Sequence, residues 1–140
     1  MKHTQKTKLD LLKTVPLFSN LSKRHLKEIA KITDEVRLPA GNVIVEEGSV
    51  GYEFIFILEG VAKVEKDGQV VNRFSTNDFF GEMALMDKKP RSATVIAETD
   101  MELLVVGSRF FDHLLHITQG LQEEILLAVV KCNGAPGCAI

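Results

Sequence analysis

Cysteine is scarce in this 140-residue chain, and the two present, Cys132 and Cys138, both lie within the last nine residues. No histidine or further cysteine lies near enough in sequence to complete a zinc site with them. Cys138 also stands one place too late for a C-terminal prenylation signal. A chain of this length can bury a core without disulfide bonds. We therefore expect two reduced thiols beside a disordered tail, residues 133–140, of a cytoplasmic protein.

Long hydrophobic runs are lacking as well. A membrane-spanning helix needs about 18 or more consecutive apolar residues, and the sequence contains no such run. The first residues, Met1 to Lys6, lack the apolar centre of a secretory signal. The composition, 45% hydrophobic and 26% charged, is ordinary for a globular protein. The sequence thus predicts one cytoplasmic unit with no membrane partner.

A large excess of either charge is also absent. The net charge of −2 argues against a protein that binds nucleic acid through bulk charge. The charges are unevenly distributed, since residues 1–31 carry eight Lys or Arg against two Asp or Glu. This basic segment could contact an acidic partner or the acidic remainder of the chain, but we interpret it as a solvated end.

Helix signals occur at both ends of the chain. Leu9 to Phe18 is typical of a short helix that is broken at Pro16. Ser22 is a suitable N-cap for a second helix with an apolar face. After residue 107, one apolar stripe predicts a helix that begins at Ser108, and another predicts a helix over Gln119–Lys131.

Between residues 34 and 107 the pattern indicates short strands separated by turns. Phe54 to Leu58 is apolar throughout, which predicts a central strand that is buried on both faces. Asp67-Gly68 predicts a tight hairpin. Short strands at this spacing are typical of a sandwich or a barrel. We therefore divide the chain into an N-terminal helical segment (1–33), a β-rich unit (34–107), C-terminal helices (108–132) and the tail.

Residues 80–95 carry the chemistry that the rest of the chain surrounds. Gly81 allows close approach of the backbone, and Glu82 to Met86 is long enough for one helical turn, whose first N–H groups favour an anion. Arg91, before a strand predicted over Ser92–Ala97, can bind two phosphate oxygens. Glu82 repels phosphate, so a hydroxyl is its better partner. The stretch predicts a ligand with one phosphate and one sugar hydroxyl.

Residues 80–85 and 90–95 read Phe-Gly-Glu, an apolar run, then Pro-Arg-Ser-Ala-Thr-Val. This pattern closely resembles the phosphate-binding cassette of the cyclic nucleotide-binding domain family. The resemblance implies an eight-stranded, jelly-roll-like β-barrel with flanking helices and the cassette between two strands. It also implies that Glu82 binds the ribose 2′-hydroxyl and that Arg91 binds the cyclic phosphate. The backbone N–H groups of Ala84 and Ser92 would bind the same phosphate. The predicted ligand-binding residues are Gly81, Glu82, Met83, Ala84, Arg91, Ser92 and Ala93.

The resemblance implies a regulatory module without catalysis, cofactor or metal, whose ligand is cAMP or cGMP. Members selective for cGMP tend to carry Thr or Ser after the arginine, but cAMP-binding bacterial activators also carry Ser there. Ser92 is therefore compatible with both ligands, and we expect cAMP. The helices after residue 107 are expected to move over the base, which an aliphatic side chain among residues 121–130 would cover. The last helix could also pair two copies as a homodimer. The expected partner is an effector protein, and DNA binding is not expected of this chain unless it is a fragment of a longer protein.

Three alternatives compete with this interpretation. Glu82 and Arg91 could form only a surface ion pair, although the matching residues around them argue otherwise. A metal-dependent enzyme on a similar barrel needs clustered histidines, whereas none of the four histidines falls in a predicted strand. A degenerate barrel that only mediates protein–protein contact or dimerisation predicts no effect of nucleotide on the melting temperature.

Overall fold

The computed structural model describes residues 8–15, 18–19, 21–50, 53–81, 90–118, 120 and 123. The helices are α1 (Lys8–Lys13), α2 (Lys23–Ile32) and α3 (Ser108–Ile117). The strands are β1 (Thr33–Leu38), β2 (Val43–Val45), β3 (Glu53–Glu59), β4 (Val61–Lys66), β5 (Gln69–Ser75), β6 (Phe79–Phe80), β7 (Thr94–Ala97) and β8 (Met101–Gly107).

The strands in the described part of the chain form two four-stranded antiparallel sheets. One sheet has the order β1-β8-β3-β6 and the other the order β2-β7-β4-β5. Consecutive strands frequently change sheet, and Gly60, with φ +113°, lies at one of these changes, between β3 and β4. The predicted mainly β fold with eight strands and flanking helices is confirmed, with the strands arranged as two packed sheets.

β3 lies at the centre of the fold, as its apolar sequence predicts. Its alternate side chains point to opposite faces of the sheet. Phe54 and Phe56 pack in one core cluster with side chains of α1, α2 and α3. Ile55 and Ile57 pack in the other cluster, between the two sheets. The first sheet is therefore covered by helices on one face and by the second sheet on the other.

Two local predictions are confirmed by backbone geometry. The Oγ of Ser22 accepts a hydrogen bond from the His25 N–H at 3.2 Å, so this residue caps α2. Asp67 and Gly68 have φ values of +52° and +81°, and the flanking residues Lys66 and Gln69 pair directly. Positive φ at both central residues is the signature of the tight hairpin that the Asp-Gly pair predicts.

At the C-terminal side, α3 packs onto the helix-covered face of the first sheet. Leu114 and Ile117 are buried in the cluster that contains Phe54 and Phe56. Of the second predicted helix, Gln119–Lys131, the structure describes only residues 120 and 123, and the tail lies outside the described residues. Within those residues, every helix falls short of the length and apolarity that a bilayer crossing requires.

Candidate functional site

Gly81 directly follows β6 and lies against the start of β3. Its φ is +102°, which L side chains rarely adopt. A Cβ at this position would lie 2.5 Å from the Glu53 carbonyl oxygen and 3.0 Å from Nη1 of Arg91. The close backbone approach that the sequence predicts for Gly81 is therefore an approach to Glu53 and Arg91.

The Arg91 side chain is buried in this corner of the fold. Its residue exposure is only 2%. Nη2 donates a hydrogen bond to the Glu53 carbonyl oxygen at 2.9 Å and lies 3.9 Å from Oε2 of the same residue. A buried guanidinium is stabilised only where hydrogen bonds and negative charge surround it. The first residue of β3 therefore supplies part of the environment that keeps Arg91 in place.

The backbone of Arg91 is held as firmly as its side chain. Its N–H donates to the Ser49 carbonyl at 2.8 Å, and its carbonyl accepts from the Gly48 N–H at 2.8 Å. The 46–49 turn is itself closed, because Ser49 N–H and Oγ both donate to the Glu46 carbonyl. Arg91 is thus fixed between this turn and β3.

The strand after Arg91 is shorter than predicted. We expected it over Ser92–Ala97, but β7 begins at Thr94. The Ser92 carbonyl accepts a hydrogen bond from Lys66 Nζ at 2.8 Å, so a side chain occupies the acceptor that a strand ladder would use. Ser92 is exposed, whereas Ala93 is fully buried in the cluster between the sheets.

The structure brings Gly81 and Arg91 together, while Glu82, Met83 and Ala84 lie outside the described residues. The roles predicted for all seven site residues stay predictions. The sequence predicts a turn over residues 46–51, but it assigned neither Glu53 nor this turn to the site. Glu53 lies 38 positions before Arg91, and only the pairing of β3 with β6 brings it beside Gly81. No local motif marks it.

A metal centre has no candidate in the described part of the molecule. There, no group of three or more His, Cys, Asp or Glu side chains is arranged to hold a metal ion. The two C-terminal histidines, His113 and His116, lie on α3 and not on an inward-facing strand. The arrangement at Arg91 instead has the chemistry of an anion site, with a buried guanidinium beside a close backbone turn.

Comparison with known proteins agrees with this chemistry. Residues 35–117 match the family model described as the cyclic nucleotide-binding domain. A cAMP-dependent protein kinase regulatory subunit from Aspergillus fumigatus is 41% identical over 117 residues, which are 82% of this chain and 27% of that protein. A cyclic nucleotide-gated potassium channel from Rhizobium etli is 36% identical over 126 residues, which are 90% of this chain and 35% of that protein.

Solved structures with a similar fold include a related regulatory protein. The structure of cAMP-bound PfPKA-R (141–441) superposes with a TM-score of 0.74 at 26% identity and covers 90% of this chain and 45% of that one. The chain spans about a quarter to a third of the length of the two curated relatives described above. The family match covers more than half of this chain. The chain therefore belongs to the cyclic nucleotide-binding domain family.

Proposed function

We propose that this chain is a regulatory module that binds a cyclic nucleotide, cAMP in preference to cGMP, and catalyses no reaction. The observation that carries the proposal is the buried Arg91, fixed against Gly81 and Glu53 within the segment that matches the family. The preference for cAMP is supported by the relatives, which include cAMP-dependent kinase regulatory subunits and a cAMP-bound structure.

In the proposed complex, Arg91 binds the cyclic phosphate. A guanidinium presents two parallel N–H groups to two phosphate oxygens, and burial strengthens this charged pair because little water competes for it. The backbone N–H groups of Ala84 and Ser92 add donors to the same phosphate. Glu82 accepts a hydrogen bond from the ribose 2′-hydroxyl. Gly81, Met83 and Ala93 shape the backbone of this cradle, and no catalytic group or metal is required.

Occupancy is proposed to reach the effector through the C-terminal helices. Glu53, which contacts Arg91, begins β3, and the following Phe54 and Phe56 pack in the same cluster as Leu114 and Ile117 of α3. Because these side chains pack together, a shift of β3 would also displace α3. The ligand would change the helix position only by binding one arrangement more tightly than the other. We also propose that the last helix pairs two copies of the chain as a homodimer, and that the partner of the module is an effector protein.

Calorimetric titration with cAMP and cGMP, beside 5′-AMP as a control, tests the proposed function. We expect cAMP to bind more tightly than cGMP and 5′-AMP to bind weakly, because an opened phosphate carries different charge and geometry. If neither cyclic nucleotide binds the ligand-free protein or raises its melting temperature, the proposed function is wrong. The scaffold that only mediates protein contact would then account better for the chain.

Replacing Glu82 by alanine tests the ribose contact. We expect Glu82→Ala to weaken cAMP binding by about 1.5–3 kcal/mol, because a hydrogen bond to a charged group is lost. Titration with 2′-deoxy-cAMP makes the test specific. The wild-type protein should lose a similar amount of affinity with this ligand, while Glu82→Ala should bind cAMP and 2′-deoxy-cAMP almost equally. Full additivity of the two changes would place Glu82 away from the 2′-hydroxyl.

A further inference from the structure

The segment that connects Arg91 to β7 is held by side chains where strand pairing stops. The ladder between β4 and β7 ends at the pair Glu65 and Thr94. One position further along β4, Lys66 Nζ donates to the Ser92 carbonyl at 2.8 Å. Where the backbone pairing ends and the chain turns toward Arg91, a hydrogen bond from the lysine side chain therefore connects this segment to β4.

Lys66 is itself anchored to the turn on the other side of this segment. Its Nζ lies 3.8 Å from Glu47 Oε2. The Glu47 N–H donates to Thr94 Oγ1 at 2.9 Å, and the other carboxylate oxygen accepts from the Asp67 N–H at 3.4 Å. Lys66 and Glu47 therefore link the β4–β5 hairpin, the 46–49 turn and residues 91–94.

These contacts fix the two peptide planes on either side of Ser92. The described peptide bonds are all trans, so the N–H and C=O of one peptide point in opposite directions. The bond from Gly48 to the Arg91 carbonyl aims the Ser92 N–H away from the 46–49 turn. The bond from Lys66 fixes the next plane. With both planes held, Ser92 has little freedom in φ and ψ.

We propose that Lys66 is a positioning residue for cyclic nucleotide binding. Its ammonium group holds the Ser92 carbonyl and thereby keeps the Ser92 N–H and the Arg91 backbone aligned toward the ligand phosphate. This inference rests on the proposed function and adds a residue outside the 80–95 stretch. Lys66 acts through Ser92 and needs no contact with the nucleotide.

Lys66→Met removes the donor and keeps the apolar stem. We expect the Kd for cAMP, or for cGMP if the wild type prefers it, to rise about 3- to 10-fold. The hydrogen bond that holds the Ser92 peptide is lost, so that this peptide must be ordered when the ligand binds. Lys63→Met is the matched control. Lys63 lies on the same strand, its side chain is 33% exposed against 36% for Lys66, and it pairs with Glu65 at 3.3 Å. This control should bind as the wild type does.

The two phosphorothioate diastereomers, Sp and Rp, of the same cyclic nucleotide separate positioning from support of the fold. Each carries sulfur in place of a different exocyclic oxygen, so the ratio of their affinities reports how the phosphate lies against its donors. We expect Lys66→Met to change this ratio at least about twofold, as one misplaced donor alters the two complexes unequally. Lys66→Arg, which keeps a charged donor, should restore most of the wild-type ratio.

Two results would overturn the inference while leaving the proposed function intact. One is a wild type that binds cyclic nucleotide together with a Lys66→Met variant of unchanged Kd and unchanged ratio. The other is equal weakening of both diastereomers with a lowered melting temperature, which would show that Lys66 only supports the fold. A wild-type protein that binds neither cAMP nor cGMP defeats the proposed function itself.

Discussion

Arg91→Ala is expected to weaken cAMP binding by about 2–5 kcal/mol, because the ligand phosphate would enter a buried site without its paired charge. This corresponds to a rise in Kd of roughly 30- to 4,000-fold. The geometry supports a large effect, because the Arg91 side chain is almost completely buried and water screens its interaction with the phosphate only weakly. Calorimetric titration of the folded variant measures the change directly.

The same substitution also removes a buried side chain from the folded protein. Loss of the hydrogen bond from Nη2 leaves the Glu53 carbonyl with one donor fewer. We expect the unliganded variant to lose about 1–3 kcal/mol of stability. Circular dichroism and urea unfolding without nucleotide measure this loss of stability. The titration is then carried out at a temperature where the variant is folded.

Two further variants separate charge from geometry. Arg91→Lys keeps a positive charge but not the planar pair of donors, so its binding should fall between that of the wild type and that of Arg91→Ala. Arg73→Ala, on β5, is the control for removing an arginine away from the proposed site. Arg73 is exposed and pairs with Glu98 at 2.9 Å, a hydrogen bond that lowers the pKa of the Glu98 carboxyl. This variant should bind cAMP normally. Equal affinity of Arg91→Ala and the wild type would disprove the phosphate contact.

The elements that sequence predicts well are those set by neighbouring residues. Ser22 caps α2 through an N–H only three positions away, and Asp67-Gly68 closes its hairpin through its own backbone angles. The apolar run beginning at Phe54 needs no partner to show that it is buried on both faces. In each case the controlling contact lies within a few positions along the chain, so a local pattern records it.

The missed parts of the site depend on contacts between distant segments. The first residue of β3 reaches Arg91 because Ile55 pairs with Phe80, and nothing at Glu53 itself announces that pairing. The late start of β7 coincides with a similar distant contact, the hydrogen bond from Lys66 on a neighbouring strand to the Ser92 carbonyl. Predicting either contact requires the register of both sheets. The resemblance of residues 80–95 indicates the proposed site, whereas the contacts that support Arg91 are visible only in the fold.

Gly81→Ala is expected to damage both folding and binding. The backbone there has a positive φ, which costs a residue with a side chain about 1–3 kcal/mol. The added methyl group would also overlap the Glu53 carbonyl at 2.5 Å, and that carbonyl cannot move without moving β3. Overpacking of this kind costs about 1–3 kcal/mol more. We therefore expect a total loss of roughly 2–6 kcal/mol in the free energy of unfolding, measured by urea denaturation without nucleotide.

Two other glycines divide this effect into its causes. Gly41 has φ +94° and no atom within 4 Å of an added Cβ, so Gly41→Ala should show backbone strain alone. Gly60 has φ +113°, and an added Cβ would lie 2.7 Å from the Asp100 carbonyl and 2.8 Å from Met101 Cγ. Gly60→Ala therefore combines strain with overlap, as Gly81→Ala does, but its close neighbours are not those of Arg91. The losses of stability should be similar for Gly60 and Gly81 and smaller for Gly41.

Binding of cAMP should distinguish the two strongly destabilised variants. An alanine methyl at position 81 would lie 3.0 Å from Arg91 Nη1. It would also overlap the Glu53 carbonyl, to which Arg91 Nη2 donates a hydrogen bond. Because a binding site tolerates only small displacements of its donors, we expect Gly81→Ala to lose about tenfold or more in affinity. Gly60→Ala, titrated under conditions where it is folded, should bind within about twofold of the wild type, since its overlap lies elsewhere. Equal losses of affinity in both variants would mean that general destabilisation, and not the position of Arg91, controls binding.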